Sequence, residues 1–314
     1  MKIVFFGSSH FAVPALEALI KSQYEICSVV TQPDKKKGRH LHLGSTDVKA
    51  LAKQAGLKIF QPESVNYPDS IEHLKSLSAD LFVVVAYGQI LSQAVLDIPK
   101  IFPINIHASL LPKYRGAAPI NWAIINGEKS SGVTIIKLIR KMDAGPIITQ
   151  REIPVNDSDD SVALEDELRK LGAELLIEAL QKIKNGDYKL IDQDEKKAVM
   201  APKLKKNDGS IDWDKPAISI HDLVRGCLPW PGAFTYYKGK ILKLYKTEVI
   251  PLISGLAGLR PGEILRCHKD GFEVMTGSGA LLIKELQLEG GQRMPSAEFV
   301  HGHKIKPGDR LGKK

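Results

Sequence analysis

Asn105, His107 and Ser109 alternate with apolar residues at the edge of an apolar run, and the segment continues as NIHASLLPKYRGAAPI through Ile120. If Asn105 to Ser109 is extended, these three side chains share one face while Ile106 and Ala108 point the other way. An imidazole moves protons near neutral pH, and an asparagine amide can donate a hydrogen bond to negative charge developing on a carbonyl oxygen. The same spacing also describes a hydrogen-bonded strand end, so it establishes neither role. Asp143, in the short MDAG segment after another strand-like run, offers a carboxylate that can orient a histidine and stabilise its protonated form. An Asp-Ala-Gly turn exposed to water is the competing reading.

Those residues need a scaffold. Lys2 to Phe6, Glu25 to Thr31, Leu81 to Tyr87, Ile104 to Ser109 and Gly132 to Leu138 read as strands. Ala12 to Lys21, Ser45 to Ala55, Asp69 to Leu77 and Ala118 to Asn126 carry helical apolar stripes between them. This alternation predicts an α/β fold: a Rossmann-like, parallel-rich sheet covered on both faces, with its ligand site outside the carboxyl ends of the strands. Ser161 to Gly186 reads as a long closing helix with a leucine stripe and a glycine stop. Residues 190–206 are polar and charge-rich, so the expected organisation is a catalytic domain over 1–189, a linker over 190–206, and a second domain over 207–314. In the last, short apolar runs punctuated by Gly, Pro and charge predict a small β-barrel, OB-like.

The 314 residues are 43% hydrophobic and 25% charged, the composition of an ordinary globular protein, which argues against extensive disorder. The formal charge of +8 divides into +2 over residues 1–189 and +6 over 190–314, so the second part is the better candidate for contact with an anion. Cys27, Cys227 and Cys267 are too few and too scattered for a fully paired disulfide framework. The opening MKIVFFGS lacks the pattern of a secretory signal, and no apolar run reaches the ~18 residues of a membrane span. A cytoplasmic protein with no membrane partner is expected. His40–His42 and His301–His303 lack convergent ligands, so no metal is expected either.

NIHASLLPKYRGAAPI and MDAG, together with MKIVFFGSSHFAV, VVTQPDKKKGR, VVAYGQIL, SIDW and LPWPGAF, resemble the methionyl-tRNA formyltransferase family, within the folate-dependent formyltransferases. The resemblance covers most of the chain. It implies that Asn105, His107 and Asp143 are the catalytic set, that 10-formyltetrahydrofolate is the formyl donor, and that the acceptor is the amine of initiator methionyl-tRNA. Asn105 would stabilise the oxyanion, His107 would manage protons, and Asp143 would orient His107. No obligate protein partner is implied.

By the same resemblance, Ser109, Leu110, Leu111 and Pro112 are a folate-contacting segment. Tyr87, Gly88, Gln89, Ile90 and Leu91 form the neighbouring wall, with backbone groups reading the pterin edge while Ile90 and Leu91 cover its ring. Lys35, Lys36, Lys37 and Arg39 match a loop that approaches the tRNA acceptor end, although the following HLHLG is less basic than the family pattern. Lys203, Lys205 and Lys206 are expected boundary contacts to tRNA, with Lys238, Lys240, Lys243 and Lys246 further candidates; strand alternation places the last two on different faces. Trp213 and Trp230 are assigned to packing. Two other readings remain open: a formyltransferase acting on a sugar-nucleotide amine, and a non-catalytic RNA-binding protein.

Overall fold

The structure is a computed structural model that describes residues 1–37, 42–250 and 260–312. The chain forms two compact units, one of Met1–Pro119, Ser130–Pro154 and Glu165–Ala201, the other of Ile120–Lys129, Val155–Leu164 and Pro202–Lys314. The strands of the first unit are β1 (Lys2–Gly7), β2 (Glu25–Val30), β3 (Lys35–Lys37), β4 (His42–Gly44), β5 (Ile59–Phe60), β6 (Leu81–Val85), β7 (Phe102–His107), β8 (Arg115–Gly116), β9 (Ser130–Lys137), β10 (Ile147–Pro154) and β11 (Met200–Ala201). Helices α1 (Val13–Ile20), α2 (Asp47–Gln54), α3 (Pro68–Ser76) and α4 (Gln93–Leu96) connect them, followed by α5 (Pro119–Ile125) and α6 (Ser161–Asn185).

Seven strands make the main sheet in the order β10-β9-β7-β6-β1-β2-β5. β7, β6, β1, β2 and β5 run parallel, while β9 and β10 are antiparallel additions. Ile3–Phe6 and Leu81–Val85 are buried without interruption, which requires cover on both faces and explains their continuous apolar sequence. The chain winds outward from β1 to β2 and β5, then returns to place β6 on the other side of β1. Strand order therefore reverses between β1 and β6, the topological position at which α/β folds of this kind place their ligands.

Two expectations need correction here. β7 stops at His107, not Ser109, because the next residues are drawn into a turn: the Ser109 hydroxyl donates to the Lys113 carbonyl at 2.6 Å, and Thr134 Oγ1 donates to the Ser109 carbonyl at 2.6 Å. β10 has no counterpart in the sequence reading. Its IITQREIP carries polar residues on both faces, leaves Gln150, Glu152 and Pro154 exposed and ends in a proline, as an edge strand can, whereas the strand criterion there favoured Val- and Ile-rich runs.

The second unit contains α7 (Ala217–Gly226), α8 (Ser296–His303) and strands β12 (Ala233–Tyr237), β13 (Lys240–Ile250), β14 (Ile264–His268), β15 (Gly271–Met275), β16 (Ala280–Leu288) and β17 (Arg293–Pro295). The sheet runs β12-β13-β16-β15-β14, and the segment after α8 closes it into a barrel by bridging Tyr236 with Gly312 and Glu263 with Arg310. Leu242, Leu244, Phe272, Ile283, Leu286, α7 Val224 and α8 Phe299 fill its core.

In β13 the register shifts around Lys246, so Leu242, Leu244 and Thr247 are buried while neither Lys243 nor Lys246 is. Strict alternation therefore fails at a bulge, and both lysines turn away from the core. Trp213 packs as expected and donates to Thr235 Oγ1 at 3.0 Å, but Trp230 is 54% exposed, contrary to the packing assignment.

Candidate active site

β7 sets the frame. Asn105 lies beside Val84 of β6 and Ile136 of β9, and His107 beside Thr134, so both sit where the parallel half of the sheet meets its antiparallel extension. Asn105 is half-buried, and its amide makes no hydrogen bond among the described residues. A polar group held on a buried strand without a protein partner is available to a ligand.

His107 is 5% exposed, with Nε2 2.8 Å from the Tyr114 carbonyl. Because a carbonyl can only accept, the proton is assigned to Nε2, and the neutral ring keeps its lone pair on Nδ1. Nδ1 lies 3.7 Å from Asp143 Oδ2. The partner that selects the tautomer is thus the Tyr114 carbonyl, while Asp143 faces the other ring nitrogen. Tyr114 reaches this position with φ of 63°.

Asp143 also has a left-handed backbone, at φ 49°, and is held from two directions. Its Oδ2 accepts from the Gly116 N–H at 2.9 Å. The Gln193 amide donates to the carbonyls of Asp143 and Gly145 at 2.8 and 2.7 Å. Gln193 Oε1 in turn accepts from Arg115 Nε and Nη2 at 3.0 and 2.8 Å, and the rest of the Arg115 fork donates to Glu195. Arg115 is 3% exposed. Glu195 also pairs with Lys141 at 2.8 Å, and hydrogen bonds from Arg115 first and Lys141 second hold its carboxyl down at about 2.

The SLLP segment is folded over β9 by one hydroxyl. Thr134 Oγ1 donates to Ser109 and accepts from the Leu111 N–H at 3.1 Å and from Gln150 Nε2 at 2.7 Å. Ser109 and Leu111 are buried, while Leu110 and Pro112 are half-buried.

The second expected wall follows β6. Tyr87 and Leu91 are buried in the core with Phe6, Phe82 and Val95, so they can offer only backbone to a ligand. The Tyr87 hydroxyl is buried without a hydrogen-bond partner, and burial pushes it up to about 12. Gly88 has φ of 90°, and nothing lies within 4 Å of where its Cβ would be. Gln89 is occupied in fixing the loop, accepting from Val65 N–H and donating to the Glu63 carbonyl. Ile90 is 71% exposed. Open space over a glycine and an exposed aliphatic side chain suit a flat heterocycle.

Lys35 is exposed at the start of the β3–β4 hairpin; Arg39, His40 and the side chains of Lys36, Lys37 and His42 lie outside the described residues. Lys203, Lys205 and Lys206 are exposed on the second unit. The structure brings Asp143 to His107, two residues along β7 from Asn105; the SLLP loop follows β7 directly, and Tyr87–Leu91 follows the adjacent strand β6. Sequence reasoning assigned nothing to the Tyr114 carbonyl, Thr134, Gln150, Arg115, Gln193 or Glu195. Arg115 stood inside the quoted motif; Gln193 and Glu195 lay in the presumed linker, where nothing in local spacing marks them.

Among the described residues no group of three or more His, Cys, Asp or Glu is placed to hold a metal ion, and no helix is long and apolar enough to cross a membrane.

The family described as formyl transferase matches residues 1–180, and that described as formyl transferase, C-terminal domain, matches 203–304. A methionyl-tRNA formyltransferase of Citrifermentans bemidjiense is 46% identical over 314 residues, covering 100% of this chain and 97% of the relative. One from Caldanaerobacter subterraneus subsp. tengcongensis is 46% identical, covering 99% of this chain and 100% of the relative. A solved structure of an N-formyltransferase from Helicobacter canadensis, in complex with folinic acid and dTDP-3-aminofucose, shares 20% identity and a TM-score of 0.67 over 90% of this chain and 98% of that one. At that identity the likeness speaks to the fold alone. With both halves matched and nearly half of all residues identical along its whole length, the chain belongs to the methionyl-tRNA formyltransferase family.

Proposed function

We propose that this chain transfers the formyl group of 10-formyltetrahydrofolate to the free amine of initiator methionyl-tRNA, giving the N-formylmethionyl-tRNA used in translation initiation. The observation that carries the reading is the convergence of Asn105, His107 and Asp143 at the carboxyl end of β7, in a chain similar along its full length to enzymes of that name. The folate supplies an electrophilic formyl carbon on a nitrogen leaving group. Asn105 donates a hydrogen bond to the formyl oxygen as negative charge grows there. His107 receives at Nδ1 the proton shed by the attacking amine and returns it to the departing nitrogen. Asp143 stabilises the imidazolium between those events, and holding both substrates in one crevice removes much of the entropic cost of their encounter.

Ser109–Pro112 and Tyr87–Leu91 form the folate walls in this reading, with Ile90 covering the ring and the Gly88 backbone at its edge. Lys35, Lys36, Lys37 and Arg39 contact the acceptor end, and Lys203, Lys205 and Lys206 bind the tRNA backbone on the second unit. The protein works in the cytoplasm. Purified protein offered both methionyl-tRNA and an amino-sugar nucleotide should formylate the first; transfer to the sugar nucleotide alone would overturn the reading. His107→Ala should retain tRNA binding and lose transfer, and equal transfer by both folded proteins would remove His107 from the proton path. Replacing the four basic-loop residues by Ala should weaken tRNA binding, flatten its salt dependence and leave folate affinity unchanged. An unaltered salt slope would return that loop to solvent.

A further inference from the structure

The segment after α6 reaches back into the candidate active site, where one amide uses its full hydrogen-bonding capacity. Gln193 accepts twice from the buried Arg115 fork and donates twice, to the carbonyls of Asp143 and Gly145. These donations fall on the turn in which Asp143 adopts a left-handed backbone, a conformation that is strained for a non-glycine residue and persists only where the surroundings hold it. Glu195 adds a second tie, joining Arg115 to Lys141 two residues before Asp143. We propose that Gln193, anchored by Arg115, is a positioning residue for formyl transfer: it sets the Asp143 turn so that the carboxylate faces His107 Nδ1. The inference rests on the catalytic assignment of Asp143.

An oxygen in place of the amide nitrogen separates positioning from simple structural support. Gln193→Glu keeps the shape and still accepts from Arg115, but it sets a carboxylate oxygen against the two carbonyls and removes both donations. A misplacement of about 1 Å at a reacting group can cost about 10²-fold in rate. Single-turnover transfer by Gln193→Glu should therefore fall by about that factor, while KM for folate and for methionyl-tRNA stays within about twofold, with both proteins assayed well below a melting temperature that falls as the two carbonyls lose their donor. Gln193→Ala should lose rate similarly, which guards against a specific defect of the introduced charge. Because Gln193 acts through Asp143, adding Gln193→Glu to Asp143→Ala should cause no further loss. If Asp143→Ala is inactive while Gln193→Glu transfers at the wild-type rate, or if the two losses multiply, the positioning role is overturned and the catalytic reading stands. Wild-type transfer by Asp143→Ala would overturn both.

Discussion

Replacing Thr134 by Val removes one hydroxyl and almost no volume, yet it unties the loop beside the catalytic strand. Thr134 is fully buried. Its Oγ1 donates to the Ser109 carbonyl at 2.6 Å and accepts from Leu111 N–H at 3.1 Å and Gln150 Nε2 at 2.7 Å. Gln150 keeps its bond to the Leu111 carbonyl at 3.0 Å, so it is not stranded. The Ser109 carbonyl and Leu111 N–H are, and each buried group left unsatisfied costs about 1–3 kcal/mol. Valine returns part of this because it needs no partner itself, which leaves a net loss of about 2–4 kcal/mol. That is a large share of the roughly 5–15 kcal/mol that holds a domain folded. Trp122, Trp213 and Trp230 all belong to the second unit, so far-UV circular dichroism in urea suits the measurement better than tryptophan fluorescence. Amide exchange at Leu111 should accelerate with the same variant, and Thr134→Ser, which keeps the hydroxyl, should stay near wild type in both assays. A Thr134→Val protein with the wild-type urea midpoint and wild-type exchange at Leu111 would show that this hydroxyl does not hold the loop.

Asn105→Ala should lower the single-turnover rate by about 10²–10³-fold, the usual cost of losing an oxyanion donor, with substrate affinities unchanged; a loss confined to tRNA binding would contradict that role. Gly116→Ala should destabilise the protein by several kcal/mol, because its Cβ would lie 2.6 Å from the Ala201 carbonyl oxygen and φ is 126°; a melting temperature within a degree of wild type would refute the strain. Asp80 accepts from Lys2 N–H first and Lys100 Nζ second, which holds its carboxyl below the usual 3.8. A depressed folded-state pKa gives stability that is complete above the unfolded value and lost as pH falls through the folded one. Urea titrations below about pH 4 should therefore show a shallower acid loss for Asp80→Asn than for wild type, and superimposable acid limbs would exclude the pair as a contributor.

Local pattern was enough for the α/β alternation and the barrel, because burial periodicity acts over a few neighbours, whereas the grouping of Asn105 and His107 with Asp143 came only from the family resemblance. Ile3–Phe6 and Leu81–Val85 are apolar throughout, as strands covered on both faces must be, and Gly186 stops α6 at φ 72° as its lack of a Cβ allows. Asn105 and His107 share a face for no deeper reason than the period of a strand. What tertiary structure decided is what satisfies the groups that local pattern leaves open. Strand β10 exists because β9 offers it an edge, and Ser109 leaves the strand because Thr134, 25 positions later, captures its carbonyl. The imidazole proton sits on Nε2 because the chain turns back at Tyr114, and Asp143 is held by an amide 50 residues away. Hydrogen-bond partners so far apart are chosen by sheet register and chain return, and neither leaves a period in the sequence.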